Sequence, residues 1–355
     1  MKAERHALVF GATGHIGKWL VRELLQQGVR VTTAVRTVES FDTLVSWLRD
    51  HDAGGSPTQA LVNFGDEGLG LNPASNACRS LTEIHNVAGA FAFGMSAQDA
   101  FDANVRGAER VVRFAANLPA LTRLVHLSGY RVGGQDPAGT PWDDARRTSE
   151  YQRLGAYEGS KVESDAVVQG VALALGVPLT MVNPATVIGD SVNGESGQVL
   201  GLGSSVMDLW RGKLPALPGN VRTFVPVVTV DYLASFMALL PLVAEAEGRS
   251  YWVLDDATPL LPLQLALLGK HLGVKVPRLR IPVGLLKRLP ARITRADPET
   301  LSFLSEDRYP TTEAVALAEA HGLFHPDVEV ALKRWADYLV ASAERAASEG
   351  RVASM

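Results

Sequence analysis

The chain has 355 residues, 46% hydrophobic and 20% charged, with a formal net charge of −4. Such a composition describes a globular protein able to bury a large core in two closely joined lobes, and it excludes a disordered chain. The mild negative charge offers no general attraction to nucleic acid or to an anionic membrane surface.

The first element in the sequence is a short apolar run, His6-Ala-Leu-Val-Phe10, read as a buried parallel strand. It enters a glycine-rich turn, GATGHIG, from Gly11 to Gly17, which opens a helix expected over 15–27. A strand, a glycine turn and a helix form the first half of a βαβ unit that binds dinucleotides. Gly11 permits the tight turn, Gly14 lets the backbone approach a pyrophosphate, and Gly17 lets the helix pack on the sheet. The helix N-terminus presents N–H groups and a partial positive charge to the phosphates. A second strand, 29–35, ends at Arg36. At this place a carboxylate would hold the ribose 2′-OH of NAD, whereas an arginine receives the 2′-phosphate of NADP. No acidic residue stands at the tip, which favours NADP(H) over NAD; the alternative for Arg36 is a solvated strand end.

Further strands are expected at 59–64, 82–87, 122–128 and 178–183, with helices at 39–50, 97–117 and 156–175. This alternation predicts an α/β fold, a doubly wound parallel sheet of Rossmann type. His85 and His126 fall inside strands and read as core residues. Tyr157 and Lys161, in YEGSK, lie one turn apart on the last of these helices. A nucleotide cradle followed by such a pair points to hydride transfer. A phenol has a pKa near 10, so neutral-pH acid–base work needs a cation such as Lys161 beside it.

After Pro184 the pattern loosens into glycine-rich stretches, Gly189 to Gly203, and proline-rich turns, Pro215 to Gly219. The glycines suit either a lid over a ligand or plain surface connections. Phe91, Phe93, Met95, Val187, Val206 and Trp210 suggest an apolar pocket, although such residues are commonly core. The basic stretch Lys287 to Arg295 is interrupted by apolar residues and reads as a solvated face. A single cysteine, Cys78, rules out an internal disulfide and any cysteine metal cluster, and no ligand spacing suggests a metal. No apolar leader precedes the first strand and no stretch has the length of a membrane span, so the cytoplasm is the expected compartment.

GATGHIG, Arg36, Gly65-Asp66, HNVAG at His85 to Gly89, NVRGAERVV from Asn104, YEGSK and VNPATVIGD from Val182 together resemble the successive motifs of the extended short-chain dehydrogenase/reductase family. The resemblance continues through Thr223 to Leu240, where Asp231 opens a helix, and weakens after about Asp256. It implies a dinucleotide-binding domain over 1–184, with 221–256 returning to it, and a substrate-binding lobe from 185–220 and 257–355. It further implies cofactor contacts from Thr13, His15 and Ile16 of the glycine turn, from Asp66 at the adenine, from Ala88 and Gly89, and from Pro184 and Val187.

By the same resemblance Tyr157 is the catalytic acid–base, Lys161 serves both the phenol and the nicotinamide ribose, and Asn104 supports Lys161 from below. Asn104 is equally readable as a helical polar contact. The family's fifth strand ends in two hydroxyl residues, the second catalytic, whereas this strand reads LVHLSGYRVGG. Counting back from Gly134 puts Gly129 at the catalytic place; counting from Gly133 puts Ser128 there. Ser128 is the preferred residue, with a backbone-bonding role as the alternative. The implied activity is NADP(H)-dependent interconversion of a carbonyl and an alcohol on a small, partly apolar molecule. A sugar-nucleotide epimerase or dehydratase holding NAD, and a cofactor-binding protein without catalysis, are the other readings. Relatives pair the helices matching 97–117 and 156–175 across a twofold axis, which implies a homodimer.

Overall fold

Residues 4–90, 94–197, 199, 201–286, 301 and 303–352 are described by a computed structural model of the chain. Phe91, Phe93 and Lys287–Arg295 lie outside the described residues. The chain forms two compact units. One runs to Pro184 and takes in Leu233–Val253; the other is made of Ala185–Tyr232 and the chain from Leu254 onward. Of the segment 221–256, therefore, 233–253 joins the first unit.

The first unit is built on β1 (His6–Phe10), β2 (Arg30–Val35), β3 (Thr58–Leu61), β4 (Glu83–Asn86), β5 (Arg123–Leu127) and β6 (Leu179–Pro184). These join a late strand, β10 (Ser250–Val253), in a seven-stranded parallel sheet of order β10-β6-β5-β4-β1-β2-β3. All five residues of β1 are buried, as expected of a strand covered on both faces. Its flanking helices are α1 (His15–Gln26), α2 (Val38–Asp50), α3 (Asn76–Arg79), α4 (Ala97–Ala100), α5 (Gly107–Ala115), α6 (Asp144–Leu154) and α7 (Ala156–Leu175). Leu8, Phe10, Ile84, Leu124 and Val112 share one core beneath them. Each such side chain contributes about 1.5–3 kcal/mol by leaving water. Cys78 is buried in the same core and acts as a packing residue.

Chain order reverses between β1 and β4, the switch point where open α/β sheets bind ligands. The register levels three strand ends there, Phe10 opposite Asn86 and Asn86 opposite His126. The residues following β1, β4 and β5 are thereby brought to one edge.

The expected helix over 97–117 is interrupted. Between α4 and α5 the backbone widens to a π-helix over Phe101–Arg106, an insertion that re-aims side chains and recurs at functional sites. Helix α6 was not expected from sequence.

The second unit pairs β7 (Thr186–Ile188) with β9 (Val227–Thr229), and β8 (Leu217–Pro218) with β11 (Arg280–Ile281). Its core joins α8 (Leu202–Trp210), α10 (Leu261–His271) and the terminal helix Val328–Val352 through Val206, Leu209, Leu265, Leu332 and Trp335. Val206 is wholly buried and belongs to this core. Two of the glycines expected as lid or surface connections are close-packed: a Cβ on Gly189 would lie 2.1 Å from the Gly194 carbonyl oxygen, and one on Gly194 2.2 Å from that of Arg334, whereas one on Gly201 would meet nothing within 4 Å.

Candidate active site

The turn from Gly11 to Gly17 has the geometry its glycines suggested. Gly11 has φ +79°, and a Cβ there would meet Ala88 N at 2.7 Å. The β1 and β4 loops therefore touch through bare backbone. A Cβ on Gly17 would lie 2.0 Å from the Gly11 carbonyl oxygen, so α1 can sit this close to the strand only with glycine at that position. The turn closes by Gly14 N donating to Gly11 O at 3.0 Å, and Gly14 is the N-cap of α1, with no side chain capping it. Thr13 and Gly14 are exposed, while His15 and Gly17 are buried. A helix start with backbone amides and no side-chain cap suits a pyrophosphate.

Helix α7 carries Tyr157 and Lys161 in adjacent turns, both partly exposed. Its phase is fixed from two sides. From the π-helix, Asn104 is buried; its Nδ2 donates to Ser160 Oγ at 3.0 Å, and its carbonyl accepts from Ser164 Oγ at 2.8 Å. Asn104 Oδ1 also accepts from Ala90 N at 2.9 Å, tying the loop of Ala88 and Gly89 to the same helix. From α6, Arg147 and the Tyr151 hydroxyl both donate to the fully buried Glu163 carboxylate, at 2.7 and 2.9 Å. Gly159 makes room, since a Cβ there would lie 2.7 Å from Tyr151 Cδ1. Breaking such a buried pair on one side costs about 3–5 kcal/mol.

At the end of β5, Ser128 is buried and its Oγ donates to Asp165 Oδ1 at 2.6 Å. Asp165 Oδ2 accepts from Gln135 N at 2.9 Å and Gln169 Nε2 at 2.8 Å. Burial raises the Asp165 carboxyl above its ordinary value, against the lowering effect of the Ser128 hydrogen bond. Burial lowers the Lys161 ammonium, while Asp165 pulls it back up. His126 is pushed down to about 3 by burial, with Lys161 adding to the shift, and its Nδ1 lies 3.1 Å from Asn86 Nδ2. A neutral imidazole is therefore buried beneath a lysine. His85 is also fully buried, 3.5 Å from Glu83, whose carboxylate is held by Arg5 at 2.9 Å.

Arg36 follows β2 and is exposed, as is Asp66 in the turn after β3. Pro184, the last residue of β6, is buried and accepts from Tyr130 N through its carbonyl at 3.1 Å. Val187 stands in β7, opposite Val228, within the second unit. The first unit thus contains the glycine turn, Ala88, Gly89, Ser128 and Pro184 at strands of one sheet, and Asn104, Tyr157 and Lys161 on the helices beside it. Sequence reasoning missed Asp165, Ser160 and Ser164. Asp165 was detectable, because it is the next step of the same helical face after Tyr157 and Lys161. Among the described residues no cluster of His, Cys, Asp and Glu is arranged for a metal, and no helix is long and apolar enough to cross a membrane.

Comparison with known proteins bears on the family and the fold. The family model described as male sterility protein, an NAD-binding family, matches residues 9–237. Sterol demethylase protein B of Methylococcus capsulatus is 27% identical over 285 residues, covering 79% of this chain and 78% of that protein. The terminal R domain of the myxalamid PKS-NRPS pathway superposes with a TM-score of 0.74 at 19% identity, over 96% of this chain and 92% of that one. Gre2 of Candida albicans, solved in complex with NADPH, gives 0.68 at 16% identity, over 95% and 99% of the two chains. The chain belongs to the male sterility protein family of NAD-binding proteins and is an NAD(P)-dependent oxidoreductase of the extended short-chain dehydrogenase/reductase type.

Proposed function

We propose that the protein is an NADP(H)-dependent carbonyl reductase or alcohol dehydrogenase acting on a small, partly apolar molecule. The observation that carries this reading is the placement of Tyr157 and Lys161 on α7, whose phase is fixed by Asn104 and Glu163, in the same unit as a glycine turn with no room for side chains.

The dinucleotide fits residues of this chain: the amides at the start of α1 for the pyrophosphate, Arg36 for a 2′-phosphate, Asp66 for the adenine and Lys161 for the ribose hydroxyls. When bound, the nicotinamide supplies or accepts the hydride. Tyr157 gives its phenolic proton to the carbonyl oxygen in reduction and takes it back in oxidation. Lys161 stabilises the phenolate that remains. Ser128 and Asn104 complete the frame around the pair. The working assembly is a homodimer, and the cytoplasm is its compartment.

The test is a panel of ketones, aldehydes and sugar nucleotides followed by NADPH absorbance, with wild type and Tyr157→Phe in parallel. Turnover in the variant should fall by about 10²–10⁴ with NADPH still bound. Full activity in Tyr157→Phe would remove the mechanism.

A further inference from the structure

Four polar contacts fasten the turn after β5 to one face of α7. Ser128 Oγ and Gln135 N donate to Asp165, Gln169 Nε2 donates to the Gln135 carbonyl at 3.2 Å, and Arg131 meets Glu158 at 3.5 Å. Asp165 receives two of the four and is itself fully buried. The turn is also packed from its other side: a Cβ on Gly133 would lie 2.1 Å from Asn183 Oδ1, and one on Gly134 2.9 Å from the Trp252 ring. The turn therefore lies between the helix and the strands bearing Asn183 and Trp252, and the carboxylate takes two of the contacts that join it to the helix.

We propose that Asp165 is the positioning residue of this site: its carboxylate anchors the turn bearing Ser128 and Gly129 against the helix of Tyr157 and Lys161, accepts the Ser128 hydrogen bond, and stands one helical turn from Lys161 on the same helix as its counter-charge. The assignment rests on the reading of Tyr157 and Lys161 as the reacting pair. A hydroxyl has a single proton. With that proton donated in a hydrogen bond to Asp165, Ser128 belongs to the frame of the site, and the place beside the carbonyl is left to Gly129, which carries no side chain. A Cβ there would have only Val132 within contact range, at 3.3 Å. The space suits substrates branched, or carrying a hydroxyl of their own, next to the reacting carbon. The titratable group that the pair acts on from the sheet is His126 on β5, which feels Lys161; the Arg131–Glu158 ion pair joins the turn to the same helix. His126 stays neutral throughout the working range, as its pKa near 3 requires.

Two measurements test the proposal. The Lys161 side chain can be titrated by NMR in protein carrying 13C-labelled lysine, assigned by Lys161→Met, with no substrate present. Asp165→Asn removes the carboxylate and keeps the shape, so the Lys161 midpoint should drop by about one pH unit. An unchanged midpoint overturns the electrostatic half. Ser128→Ala, which folds independently of the outcome for Asp165→Asn, should keep turnover within about tenfold of wild type. A loss of about 10² or more would mean that Ser128 donates to the carbonyl, and the assignment of its hydrogen bond to Asp165 would be wrong. Tyr157→Phe run beside them separates the two levels. If it is inactive while Asp165→Asn leaves the Lys161 midpoint unchanged or Ser128→Ala loses about 10² in turnover, only the positioning role fails; if it is active, the underlying reading fails.

Discussion

Arg36 leaves the end of β2 exposed, with Thr37 capping α2 behind it through Ser40 N and the first acidic side chain, Glu39, already inside that helix. A guanidinium there has no competing carboxylate at the strand tip. Charge-assisted bonds to a 2′-phosphate are worth roughly 1.5–3 kcal/mol, so NADPH should bind about ten- to a hundredfold more tightly than NADH. Fluorescence titration of both cofactors against wild type and Arg36→Ala checks this, and equal wild-type affinities would refute it. At this scale the sequence was legible wherever chemistry is written in residue type and spacing, as in the glycine turn and the Tyr157–Lys161 step. Ser160 was not, because a buried serine on a helix looks like ordinary polar surface until its partner is known, and for Asp165 the spacing shows the shared helix face but not the Ser128 and Gln135 it holds.

Two strands of the central sheet carry histidines that the folded chain keeps uncharged. His6 in β1 is lowered to about 4 by burial and by Arg30, and bonds Ser80 and Thr32; His126 in β5 is lowered to about 3. Both lie below the ordinary value of 6.5, so the unfolded chain binds protons that the folded chain refuses. Their contribution to stability is complete above pH 6.5 and is lost as pH falls toward the folded values. The melting temperature should therefore decline between pH 7 and pH 5, and His126→Gln should shallow that decline; parallel slopes would count against it. Other elements explain where reading by periodicity ended. Helix α6 is DARRTSEYQRL, with Tyr151 its one buried residue, so it has no apolar stripe to detect and is held by Arg147 and Tyr151 through Glu163. The π-turn at Phe101–Arg106 was equally hidden, since one extra residue in a helix leaves the apolar spacing nearly intact while re-aiming Asn104.

On the scale of the whole molecule, α5 and α7 border a groove of about 230 Å³ lined by Val167, Val171, Ala174 and Leu175 of α7 and by Glu109 and Arg113 of α5, and Leu173 on α7 is 80% exposed. Exposed apolar side chains on paired helices are what a second copy of the chain would cover. A dimer is expected by light scattering at micromolar concentration, and Leu173→Glu should shift it toward monomer; a monomeric wild type would end this expectation. The parallel sheet followed from alternating apolar runs, whereas its strand order came only with the folded chain, and the second unit was barely legible, because its short strands and separated helices meet only after long excursions of the chain.

The seventh strand, β10, comes from a segment that departs at Pro184 and returns at Leu233. Without it, β6 would present an unpaired row of backbone amides and carbonyls along a stretch in which every residue is buried. A fragment ending at Pro184 would hold every motif of the glycine turn and of α7, and yet it would offer a bare, apolar edge to its neighbours and add strands between molecules instead of folding alone. The nucleotide-binding half of this chain is therefore no separable module: it depends on chain made long after the end of α7.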